Sequence, residues 1–154
     1  MSKLLYNFAT DNRKKKIKLR AMEKKSCTDV NQGKQLSAFL PLESADCFWD
    51  YDDLQKFHRI NWFEDGYNKH SQLMLNENNV CAWSLSALLN FLPDELTDSD
   101  GYVYRNAFFH LKGKYIIQYP KLSTLWPSLF SVESDNPVDA VFEMIVKLHE
   151  QNLL

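Results

Sequence analysis

The densest chemistry in this 154-residue chain lies between Glu43 and Asp53, where Glu43, Asp46, Asp50, Asp52 and Asp53 are interleaved with Phe48, Trp49 and Tyr51. Paired carboxylates can divide general acid and general base work, and rings beside them can stack on a sugar or a base. A small hydrolase using the Asp46–Asp53 carboxylates is one reading. The other is a strand with its aromatics inward and its aspartates outward, followed by a polar turn, and the aromatic content favours it. A second group is basic: Arg13, Lys14, Lys15, Lys16, Lys18 and Arg20. Such a run can contact phosphates in a salt-sensitive, sequence-blind way, so nucleic-acid binding through this arm is an alternative function. No aromatic residue interleaves with it to stack on single-stranded bases. The third group is Trp62, Phe63 and Tyr67, around Asp65-Gly66. It offers either an aromatic contact surface for a partner protein or the core residues of an undeclared element.

Other chemistries find little support. No two of His58, His70, His110 and His149 share an i, i+3 or i, i+4 spacing, so a metal site would need them gathered by the fold. Cys27, Cys47 and Cys81 contain no C-x-x-C pair, which suits reduced thiols better than a disulfide framework. Cys47 or Cys81 could act as a nucleophile only with a folded-in histidine, and free cysteine is more often a small buried hydrophobe. G-x-S-x-G, Walker-type and H-E-x-x-H motifs are absent, and the four glycines do not cluster. No catalytic residue, cofactor or metal is therefore expected.

The elements that must position these groups follow from composition and period. Aromatics make up 14% of the chain, too many for wholesale disorder, and no 18-residue apolar run could cross a membrane. Residues 1–25 hold nine basic and two acidic residues, whereas residues 26–154 hold nine basic and 18 acidic. A basic N-terminal extension (1–25) thus precedes a single acidic domain (26–154). With no secretory h-region after the N-terminus, a cytoplasmic setting is expected, with no membrane partner.

Within the domain, Asp29 and Gln32 have capping-box spacing for a helix over 29–40, ended by Pro41. Cys47 to Tyr51 read as a strand. Residues 52–81 show no clear period, beyond the apolar run Leu73 to Leu75, which reads as a short strand. Ser84 can cap a helix over 85–92, with Leu85, Leu88, Leu89 and Leu92 on one face. The runs 102–111 and 115–119 flank Lys112-Gly113-Lys114 and predict a β-hairpin over about 102–119. Residues 120–134 read as a loop whose Leu125, Trp126, Leu129 and Phe130 pack on the body. Asn136-Pro137 opens the clearest helix, over 137–151, with Glu143 and Lys147 spaced to pair on its wet face. The order predicts an α+β fold, a small antiparallel sheet packed by helices near 29–40, 85–92 and 137–151.

Three strings carry a resemblance. Lys25 to Leu36 with Pro41 to Asp46, then Ala82 to Pro93, then Asp135 to Leu154 are similar to the opening, middle and closing segments of a family of small uncharacterised proteins of gut-bacterial genomes, often in phage or other mobile elements. The resemblance covers about residues 22–154, and members begin near Met22. It implies a bacterial or phage cytosolic setting and transfers no activity, cofactor or site residue. The expectation is a non-enzymatic accessory protein that acts through contacts with a partner protein or a second copy of itself.

Overall fold

A computed structural model of the protein describes residues 25–63, 69–73, 76–122 and 127–154. The basic run Arg13 to Arg20 lies outside the described residues, as do Tyr67, Leu125 and Trp126.

Asp29 opens the first helix as its spacing predicts. Its carboxylate accepts from the Gln32 N–H at 2.9 Å while the Gln32 side chain accepts from the Asp29 N–H at 3.0 Å. The resulting α1 (Val30–Leu36) is shorter than the predicted 29–40. After Leu36 the chain tightens into turns, with Phe39 and Leu40 both donating to the Leu36 carbonyl, before Pro41 forbids further helix. Gly33 is there for a steric reason: a Cβ at this position would lie 2.2 Å from the Cys81 carbonyl oxygen. Only glycine lets α1 sit this close to the strand beneath it.

That strand belongs to a three-stranded antiparallel sheet. β1 (Cys47–Asp52) lies between β2 (Phe57–Trp62) and β3 (Val80–Ala82). The β1–β2 turn is built by Asp52, whose carboxylate accepts from the N–H groups of Leu54 and Gln55, each at 2.9 Å. Lys56 completes it with φ of 58°. A short helix, α2 (Lys69–Leu73), follows, so Leu73 is helical and not the start of a strand. Ser84 then caps α3 (Leu85–Leu89), accepting from the Ala87 N–H; the helix again gives way to turns before Pro93.

The predicted hairpin is present with one correction. The run 102–111 breaks at Asn106, whose N–H is taken by the Asp94 carbonyl at 2.9 Å. Its first half forms β5 (Val103–Arg105) and pairs back on β4 (Glu95–Thr97). Its second half forms β6 (Ala107–Leu111) and pairs with β7 (Lys114–Pro120). Lys112 and Gly113 turn the chain with φ of 51° and 80°, the left-handed pair that a two-residue type I′ hairpin requires. The predicted loop over 120–134 is corrected too: Ser128–Ser134 is β8, paired antiparallel with β7.

The last helix, α4 (Pro137–Glu150), matches its prediction. The Asn136 side chain accepts from the N–H groups of Val138 and Asp139, and Pro137 sits in the first turn. Val138, Ala140, Val141, Met144, Ile145 and Leu148 are all buried, against β7, β8 and α3. They join Leu36, Trp83, Leu88, Ile117 and Tyr119 in one core. Each such large apolar side chain contributes about 1.5–3 kcal/mol on burial. Lys147 is directed to the Phe130 ring, 5.6 Å from its centroid. The two ends of the described chain are braced together: Asp139 accepts from the Lys25 ammonium at 2.6 Å and from the Gln32 amide at 2.8 Å. The described residues thus form an α+β fold of four α-helices and three small antiparallel sheets. No helix among them is long and apolar enough to cross a membrane.

Candidate functional site

The three groups singled out by chemistry have different fates. The carboxylates of the β1 region hold separate structural partners. Asp46 accepts from the Ser84 N–H at 2.8 Å and from the Ser84 hydroxyl, anchoring the start of α3. Asp50 takes the Asn61 amide at 3.3 Å, and Asp53 takes that of Asn76 at 2.8 Å. Asp52 builds the turn and pairs with Arg59 at 3.3 Å. Strand alternation puts Phe48, Asp50 and Asp52 on one face and Cys47, Trp49 and Tyr51 on the other. The aromatics are therefore divided between both faces, not gathered inward with every aspartate outside.

The aromatic group is also divided. Phe63 turns inward, stacks on Phe48 with ring centroids 4.9 Å apart, and carries the Lys69 ammonium 5.4 Å from its centre. Trp62 turns outward and is 56% exposed. It ends β2, whose one strand neighbour among the described residues is β1. No residue of β2 is buried. Phe57 at its other end is 41% exposed, and Leu54 in the preceding turn is 95% exposed. Arg59 stands between them, its guanidinium 5.8 Å from the Phe57 ring. The result is a six-residue strand with a large apolar ring at each end and, among the described residues, no partner on its outer side.

The histidines and cysteines are placed as follows. His58 tilts against Tyr51 and meets the Asn78 carbonyl at 3.2 Å, His110 tilts against Tyr115, and His149 stacks on Phe39 at 3.8 Å. His70 lies on α2. Among the described residues no group of three His, Cys, Asp or Glu side chains could hold a metal ion. The His149–Phe39 stack lines a cavity of about 500 Å³ with Phe91, Leu92 and Pro41. Cys27 and Cys47, twenty residues apart, meet in the interior with sulfurs 2.7 Å from each other.

Sequence reasoning singled out Trp62, which is exposed, but missed the strand that presents it, and it missed the thiol pair. The strand's signal was present in Phe57-His-Arg-Ile-Asn-Trp62, a short run bounded by polar turn residues. The thiol pair has no local signal. No family model matches the chain, and no curated protein or solved structure matches it either, so the site is read from its own geometry.

Proposed function

We propose that this protein works by binding another protein, which adds an extended segment to the open edge of β2 and seats apolar side chains on Trp62 and Phe57. The observation that supports this reading is an edge strand with no outer partner among the described residues and two large exposed rings. Soluble proteins usually blunt such an edge with charge, proline or a covering loop, because its free N–H and C=O groups recruit any extended chain. Strand addition uses those groups for affinity and alternate side chains for specificity. Residues 26–154 carry twice as many acidic as basic residues, so the complementary segment is an apolar strand with basic residues.

A displayed library of linear peptides, selected on the full chain, tests this. Enriched peptides should alternate apolar and basic residues. They should lose about tenfold in affinity, 1.4 kcal/mol, when Phe57 and Trp62 are both changed to serine. Leu111→Ser, on the exposed tip of the β6–β7 hairpin, should leave affinity unchanged. Peptides that bind the double variant as well as the parent would sink the reading.

A further inference from the structure

Cys27 and Cys47 lie in a small apolar cluster of their own, with Ala82 and with Trp49 and Ile60 packed against it. Both are almost fully buried, and the Cys47 thiol donates to the Cys27 sulfur at 2.7 Å. Around them the backbone is closely tied. Cys27 bridges Ser84, Thr28 donates its N–H to the Trp83 carbonyl at 2.9 Å, and the Trp49 indole N–H donates to the Thr28 carbonyl at 2.8 Å. Cys47 stands opposite Ala82 on one side and Trp62 on the other. The two sulfurs are thus held in direct contact at 2.7 Å, so only a small further approach separates them from a covalent S–S bond of about 2.05 Å.

We propose that Cys27 and Cys47 form a peroxide-responsive dithiol pair, Cys27 being the attacking sulfur and Cys47 the resolving one. The Cys27 thiolate attacks one oxygen of hydrogen peroxide, the O–O bond breaks, and hydroxide leaves and is protonated to water. The Cys47 sulfur then attacks the Cys27 sulfenic acid, its thiol proton leaving with the hydroxyl as a second water. Two thiols are oxidised to one disulfide and one peroxide is reduced to two waters. The order of attack follows the direction of the hydrogen bond between them, in which Cys47 donates and the Cys27 sulfur accepts. The hydrogen bond from Cys47 pulls the Cys27 thiol below its ordinary range, against the burial that raises it. The same bond pushes Cys47 up, and burial adds to it. Cys27 is also next to exposed Ser26, whereas Cys47 lies on the central strand β1 with a partner strand on each side, so Cys27 is the sulfur that local opening uncovers first. Cys81 is buried against Gly33 of α1, burial raises its pKa, and it stands outside the pair. The resulting bond would fasten the segment before α1 to β1, the central strand of its sheet. The proposal stands whether or not β2 binds a partner.

The test uses the full reduced chain treated with hydrogen peroxide, unfolded, alkylated and mapped by mass spectrometry. The expected product has lost two hydrogens, contains a Cys27–Cys47 crosslinked peptide, and falls from three alkylated thiols to one, at Cys81. Thiol reductant should restore all three. With Cys47→Ser, dimedone should label Cys27; with Cys27→Ser, Cys47 should stay unlabelled. If either variant fails to fold, the parent's map still decides. A crosslink involving Cys81, a disulfide between two chains, or three intact thiols under peroxide that oxidises the unfolded chain would overturn the proposal.

Discussion

β2 and β7 are similar in length and alphabet, yet they have opposite lives. β7 lies between β6 and β8 and buries Ile117 and Tyr119 completely, with the Tyr119 hydroxyl donating to the Pro93 carbonyl at 2.8 Å. Among the described residues β2 has a neighbour on one side only, and none of its own residues is fully buried. Aromatic and β-branched residues make a strand in either setting. What separates them is position: α4 covers the sheet of β7, and no described element pairs with the outer edge of β2. The same chemistry that is buried in one sheet is left exposed in the other.

The contrast can be broken at its strong end first. Ile117→Ala should cost about 2–5 kcal/mol, read as a lower urea midpoint at unchanged slope, because the core cannot collapse around the gap. A cost under 1 kcal/mol would mean β7 is not the centre of the core. Gly33→Ala sharpens how the β1 sheet is docked. Helix propensity alone makes alanine the better residue by about 1 kcal/mol. The contact with the Cys81 carbonyl reverses the sign, and a net loss of about 1–3 kcal/mol is expected by denaturant titration. Asn136→Ala removes the cap of the helix that covers β7 and β8 and should cost about 1 kcal/mol, visible as a lower thermal midpoint.

A smaller effect concerns pH. Burial raises the Asp29 pKa, but the Gln32 N–H and the Lys25 ammonium outweigh it and hold the carboxyl below its ordinary value of 3.8. A depressed folded-state pKa adds stability above the unfolded value, and this is lost as pH falls through the folded one. The urea midpoint should therefore drop on acidification below about pH 4, and Asp29→Asn should flatten that slope. At the weak end, Phe57→Ser with Trp62→Ser should leave stability within about 0.5 kcal/mol of the parent, since both rings are already wet. A larger loss would mean that β2 belongs to the core after all.

Elements with a local signature were legible in the sequence. Asp29 with Gln32, Ser84, and Asn136-Pro137 announce three helix starts because caps act within one turn. Lys112-Gly113 announces a hairpin because only left-handed residues close it. The extent of the elements was less legible. α1 and α3 end in turns that their apolar spacing does not reveal, and Asn106 splits a continuous run because a distant carbonyl, that of Asp94, takes its N–H. β2 and β8 were missed for different reasons. In β2 the half-buried positions are His58 and Ile60 while the apolar Phe57 and Trp62 are exposed, so residue polarity does not follow the alternation, and β8 is disguised by Ser128, Ser131 and Ser134 after Pro127. The thiol pair needed the fold itself, since it depends on β1 meeting a segment twenty residues earlier.

The brace on Asp139 has a consequence for how the molecule is made. Lys25 and Gln32 wait for a carboxylate 114 and 107 residues further along the chain. During synthesis α1 can form its capping box at once and dock on β3 once Ala82 is made, but its side-chain brace stays incomplete until the last helix has left the ribosome. Contacts of such separation are closed late and slow the search for the native state. A nascent chain arrested before residue 139 should therefore expose α1 and the cysteine-bearing segment beside it to proteases that the finished protein resists.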